Sequence, residues 1–163
     1  MIVLGLDPGI ALTGFGIVRE EENGNIVCLG YGVISTPSYT DDTERLLMLH
    51  QQLSAIILLH RPDSSAVEKL FFQKNTRTAM SVGQARGVVL LTLAQQGVTV
   101  YEYAPVEIKQ ALTGYGMATK QQMQSMVQMR LGLPDLPKPD DAADALAIAI
   151  CHIQYRQYNS LLT

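Results

Sequence analysis

Residues 1–18 read "MIVLGLDPGIALTGFGIV". A short run of β-branched residues and leucines ends in one acid, Asp7, followed at once by Pro8 and Gly9. The run reads as a central strand, and Pro-Gly as the turn that stops it. A second apolar run, "GFGIVRE", and a third, "NIVCLGYGVIST", are separated by "EENGN", whose Asn-Gly is a hairpin signal. Three antiparallel strands in succession are expected. Asp7 itself has three readings: a turn residue, part of a phosphate site, or a metal ligand. The choice depends on what partners the rest of the chain brings.

The pattern beyond the meander changes period. "ERLLMLHQQLSAIILLH" has helical apolar spacing, with Asp42 or Thr43 available as a cap and Pro62 beyond its end. "SSAVEKL" is a short strand with Glu68 near its end. Residues 75–96 form a long helix in which Ala79, Gly83 and Gly87 recur every fourth position, a spacing that lets another backbone come close. "VTVYEYA" is a strand. "PVEIKQALTG" is a helix with Pro105 in its first position and Gly114 past its end. Thr119 caps "ATKQQMQSMVQMRLG", and after a three-proline connector the last helix runs through "DDAADALAIAICHIQYRQ". The expected fold is α/β: a mixed five-stranded sheet flanked by helices, in a single domain over residues 1–163. The length suits one sizeable core.

Composition excludes several classes. Hydrophobic residues make up 47% and charged residues 17%, the balance of a folded globular chain rather than a disordered one. No apolar run reaches the ~20 residues of a membrane span, and the first segment lacks the basic start of a signal peptide. Cys28 and Cys151 lie far apart and match no zinc spacing, which fits a reducing cytosol. The net charge of −3 is unevenly spread. Residues 69–138 hold eight basic residues against three acids, a net of +5, and the remainder carries −8. Such a basic window suits a polyanionic partner, or else a scattered solvated surface.

Four acids stand where the predicted elements end. Strands joined by a right-handed crossover lie side by side and point the same way. Asp7 and Glu68 then share the carboxyl edge of the sheet, where ligands of open α/β sheets bind. Asp141 and Asp144 are three apart, on one face of the last helix near its positive end. Docked beside the first strand, that helix would bring four carboxylates together. Such a set cannot stay ionised without cations. Magnesium suits it, and two ions ~4 Å apart would activate water against a phosphodiester. No nucleophile–base pair competes for the role, and His50, His60 and His152 read as surface or core residues. Each acid also has a bland reading. Asp7 alone can be a turn residue, Glu68 an exposed strand residue, Asp141 with Asp140 cap residues only, and Asp144 a solvated side chain.

The segments "LDPGIALTGFGIV", "VEKLFFQKN", "GQARG" and "DDAADALAIA" resemble, collinearly over nearly the whole chain, the RuvC family of Holliday-junction resolvases. The resemblance implies a ribonuclease-H-like fold and a magnesium-dependent endodeoxyribonuclease. That enzyme acts in recombination and repair, in the cytoplasm, as a homodimer on four-way junction DNA. It implies Asp7, Glu68, Asp141 and Asp144 as catalytic and metal-binding residues, with two Mg2+ per subunit and Mn2+ as a substitute. Phe71, or its neighbour Phe72, would wedge into the junction. Lys109 and Lys120 match the DNA-contacting lysines of the family, and Lys74, Arg77 and Arg86 would hold further phosphates. The branch-migration proteins RuvA and RuvB are implied as partners. Rival readings are a ribonuclease-H-like nuclease acting on hybrid or RNA, an actin-like ATPase that would need a second domain, and a DNA-binding module without activity.

Overall fold

The computed structural model describes residues 1–70 and 76–161, with side chains from 79 onward in the second stretch. Three strands form the expected meander: β1 (Ile2–Asp7), β2 (Leu12–Glu20) and β3 (Ile26–Ser35). Helix α1 (Asp42–His60) leads to β4 (Ser64–Glu68), and α2 (Thr76–Gln95) leads to β5 (Thr99–Tyr103). Helices α3 (Pro105–Thr113), α4 (Lys120–Leu131) and α5 (Asp140–Ser160) follow. The sheet order is β3-β2-β1-β4-β5. β1 is antiparallel to β2 and parallel to β4, and β4 is parallel to β5. The mixed five-stranded sheet is the one expected.

Local chemistry accounts for most element ends. Gly24 at φ +82° turns the β2–β3 hairpin. Gly114 and Gly132 close α3 and α4 in the left-handed region. Thr119 caps α4, accepting from the Gln122 amide at 3.3 Å while the Gln122 side chain accepts from the Thr119 amide at 2.8 Å. Helix α1 differs from expectation. It begins at Asp42, so Asp41 is its cap residue, and Asp41 makes no side-chain capping bond. It closes on Arg61, which sits in the left-handed region at φ 47° and returns its amide to the Ile57 carbonyl.

The sheet is covered on both faces, and strand parity decides what each face carries. Leu4, Leu6, Ile17 and Val67 pack with Leu49, Leu53, Ile57, Val89 and Leu93 from α1 and α2. Val3, Val18 and Ala66 pack on the other side with Leu146, Ile150 and Ile153 of α5 and with residues of α3 and α4. By the same alternation Val3, Gly5 and Asp7 share the α5 side, as do Ala66 and Glu68. Eleven residues of α5 from Ala142 to Ile153 are buried, most of them alanine or isoleucine.

Helix α5 lies unusually close to the sheet because glycines receive it. A Cβ added to Gly5 would fall on the carbonyl oxygen of Ala145 and within 2.8 Å of the Ala149 nitrogen. One added to Gly14 would fall on the carbonyl of Asp141, and one on Gly16 would lie 2.8 Å from the Leu146 nitrogen. The obstacles are backbone atoms, which do not swing aside. Gly5→Ala is therefore expected to lower stability by about 1–3 kcal/mol in denaturant titration. Gly30→Ala, on β3 with nothing within 4 Å of the new methyl, should stay within about 0.5 kcal/mol.

Candidate functional site

The turn after β1 is a small hydrogen-bonded device. Thr13, fully buried, donates its hydroxyl to the Gly9 carbonyl at 2.7 Å and accepts from the Gly9 amide at 3.3 Å. The chain therefore reverses immediately after Asp7, and Asp7 pairs with Gly14 across the β1–β2 ladder. On the other side β1 and β4 run parallel, with Leu6 opposite Val67. The next residues, Asp7 and Glu68, end their strands side by side. Helix α5 begins over this edge, with Asp141 lying on Gly14. Asp140 and Asp141 occupy its first turn, where the helix dipole favours negative charge.

Electrostatics show that the four carboxylates share one field. Asp7 is pushed from 3.8 to about 7, first by burial and then by Asp144, Glu68 and Asp141, with Lys120 opposing. Glu68 is raised by burial and by Asp144, and lowered by Lys109. Asp144 is raised by burial, against the pull of Lys120. The Lys120 ammonium lies 3.0 Å from Asp140 and 3.5 Å from Asp144, so one cation already bridges the tip of α5. Among the described residues, no three Asp, Glu, His or Cys side chains are drawn tightly enough to grip an ion as they stand. The donor set nevertheless fits a hard divalent cation. It is all carboxylate oxygen, and its own repulsion is what a cation would relieve.

The acids border two clefts. One, of about 220 Å3, is lined by Glu68 and Asp144, by Lys109 and Lys120, and by an apolar floor including Ile108, Met123 and Ile148. The other, of about 290 Å3, runs past Asp7, Pro8, Glu68 and Arg86. Lys109 and Lys120 thus stand at the rim beside the acids. Arg86, expected as a phosphate contact, stands at this second cleft. Its side chain is 11% exposed and is bound internally, donating to the Glu68 carbonyl at 2.7 Å and pairing with Glu102 at 2.8 Å. Phe71, Phe72 and Lys74, with the side chain of Arg77, lie outside the described residues.

Three contributors escaped the sequence reading. Thr13 gives no signal, because its partners are main-chain atoms of Gly9. Asp140 gives a weak one, since it stands next to Asp141 and yet faces Lys120 and Gln124. The glycines of "GLD" and "TGFG" were legible only with the Ala145–Ala149 spacing of the helix they receive. His152 is a core residue, as expected. It is fully buried, bonded to Tyr103 at 2.7 Å and Ser64 at 3.1 Å, and burial pushes it down to about 4.

The raised Asp7 carboxyl has a stability consequence. An acid whose folded pKa lies above its unfolded value favours the fold at low pH. That contribution is complete below about 3.8 and is lost as pH rises through about 7. Metal-free Asp7→Asn should therefore melt higher than the parent at pH 8, by about 1–3 kcal/mol. The gap should close towards pH 4, as read by thermal denaturation in chelator. Added Mg2+ should raise the parent's melting temperature at pH 8 more than the variant's.

Residues 3–152 match the family model described as crossover junction endodeoxyribonuclease RuvC. A crossover junction endodeoxyribonuclease RuvC of Chloroflexus aurantiacus is 57% identical over 152 residues, covering 93% of this chain and 92% of that one. The Thermus thermophilus RuvC structure superposes with a TM-score of 0.90 at 38% identity, covering 98% of this chain and 97% of that one. Thermus thermophilus RuvC in complex with a Holliday junction substrate superposes at 0.89 with 36% identity, covering 98% of each chain. With its ribonuclease-H-like sheet and its acids at the carboxyl edge, the chain belongs to the RuvC family of crossover junction endodeoxyribonucleases.

Proposed function

We propose that this endonuclease resolves four-way DNA junctions as a homodimer. Each subunit hydrolyses one phosphodiester at the centre formed by Asp7, Glu68, Asp141 and Asp144. The observation that carries this reading is the meeting of the strand ends of Asp7 and Glu68 with the first turns of α5, where burial first and the three other acids next raise the Asp7 carboxyl. Magnesium, or manganese in its place, would be held by these four acids, two ions per subunit. When bound, such ions would supply Lewis-acid activation of water and charge neutralisation at a phosphodiester. Asp7 is placed by its ladder pairing with Gly14 and by the Thr13-bonded turn that follows it. Glu68 and Asp144 face each other across the cleft where a scissile strand fits. Lys109 and Lys120 hold its phosphates, which fixes register without reading bases. Phe71 or Phe72 would support the unstacked crossover, with Lys74 and Arg77 as further phosphate contacts.

The dimer reading rests on the outer face of α2. Met80 is 73% and Leu91 57% exposed. Between them Gly83 and Gly87 have nothing within 4 Å of where a Cβ would be. A glycine inside a helix costs about 1 kcal/mol against alanine, and here no neighbour among the described residues requires it. A second copy pressing its own α2 against this stripe would require it, and would match the two-fold symmetry of the junction. No helix among the described residues is long and apolar enough to cross a membrane. Work in the cytoplasm beside the branch-migration proteins RuvA and RuvB completes the reading.

The deciding assay incubates the protein and Mg2+ with a synthetic four-way junction beside linear duplex and RNA–DNA hybrid. Paired symmetric nicks in the junction alone are expected, and preferential cleavage of the hybrid overturns the reading. Asp7→Asn should cut cleavage by about 1,000-fold and leave junction binding nearly intact in a gel-shift assay. Gly87→Glu places a charge on the open α2 stripe. Sedimentation should then show monomers with retained helicity, and the paired nicks should be lost.

A further inference from the structure

Arg86 stands on α2, on the face of the sheet opposite to α5 and the cleavage centre. From there its guanidinium reaches two points at the carboxyl edge. One amino group donates to the main-chain carbonyl of Glu68 at 2.7 Å. The other pairs with the Glu102 carboxylate at 2.8 Å. Glu102 belongs to β5, one residue before Tyr103, the register partner of Glu68. The ladder continues one step past that pair, where the Lys69 amide donates to the Tyr103 carbonyl at 2.8 Å. Glu68 is the last residue of β4. A strand end is where pairing gives out and the backbone frays. Here the carbonyl of that last residue is held from behind by a side chain anchored on a rigid helix.

We propose that Arg86 is a positioning residue: by clamping the Glu68 main chain between α2 and β5, it holds the Glu68 carboxylate in place at the cleavage centre. The inference rests on the reading of Glu68 as a catalytic ligand. Planar geometry is essential to the task, because two partners in different strands are met by two edges of one guanidinium. A lysine ammonium reaches one of them at a time. The same requirement explains why Glu102, 42% exposed at the sheet edge, is an acid. It fixes the free amino group of Arg86 and so fixes the direction of the other. The rival role is direct phosphate contact, since Arg86 also borders the cleft beside Asp7.

The two roles separate in single-turnover cleavage of a four-way junction with Mg2+, at saturating protein, alongside junction affinity measured in Ca2+. A positioning role predicts that Arg86→Lys and Arg86→Met both slow the saturated rate by about 10–100-fold, with affinity unchanged. Glu102→Gln, which leaves the bond to Glu68 in place, should slow it less. In metal-free protein, amide hydrogen exchange over residues 64–70 should be faster in Arg86→Lys than in the parent. A phosphate role predicts the reverse: Arg86→Lys cleaves and exchanges like the parent, and Arg86→Met loses affinity with its saturated rate intact. Either result overturns the proposal. Should Arg86→Met fail to fold, Arg86→Lys and Glu102→Gln decide between the roles. Glu68→Gln serves as the reference. If it cleaves normally, the underlying assignment of Glu68 falls. If it is inactive and Arg86→Lys is normal, only the positioning role falls.

Discussion

The close seating of α5 on β1 and β2 is the contact on which the site depends. An α-helix normally packs on a sheet with a layer of side chains between them. Here Gly5, Gly14 and Gly16 remove that layer on the sheet side, and Ala145 and Ala149 thin it on the helix side. Backbone meets backbone, and the first turn of α5 descends to the end of the central strand. Without that approach Asp141 and Asp144 would stand a side chain's thickness above Asp7. The two pairs of acids would then belong to different surfaces. The apolar burial along α5 stabilises the seating, and the seating brings together charges that repel one another.

The repulsion is managed rather than removed. Lys120 bridges Asp140 and Asp144, Lys109 faces Glu68, and the positive end of α5 lies under Asp140 and Asp141. Asp7, enclosed and surrounded by acids, is left near neutrality in its titration. A fold selected for stability alone would not keep such a carboxyl at the end of its most protected strand. The rigid features around it have the opposite character: the Thr13-bonded turn, the paired neighbours on both sides of β1, and the Arg86 clamp. The site is electrostatically strained and mechanically stiff, a combination suited to holding hard cations in fixed geometry.

Much of this was legible in the sequence, for reasons that can be named. Asp7 and Glu68 could be placed on one edge because a parallel crossover leaves little choice of direction. Asp141 and Asp144 could be placed on one face because helical spacing is rigid. Pro105, Gly114 and Thr119 marked helix ends through their own backbone chemistry. The bond from Arg86 to the Glu68 main chain could not be read, because a carbonyl has no letter in a sequence. A basic residue near a predicted acid cluster looks the same whether it faces a phosphate or a peptide group. Thr13 was hidden for the same reason. The start of α1 was misplaced by one or two residues because Asp41, Asp42 and Thr43 are all good caps, and Asp41 caps without using its side chain.

The hairpin between β2 and β3 gives the molecule an electrical direction. Its acidic tip, Glu20, Glu21 and Glu22, lies at the start of β1, where Ile2 pairs with Arg19. The far end of α5 reaches it, since Gln157 donates to Glu20 at 2.8 Å. Lys109 and Lys120 lie at the other end of the same strands, beside Glu68 and Asp144. Acids stand at both ends of β1, but only those at the cleft share their end with Lys109 and Lys120 and form a set that fits divalent cations. With such cations bound, a polyanion would meet like charge at the hairpin and not at the cleft. A low isoelectric point is no handicap to an enzyme that needs to be approached from one side only.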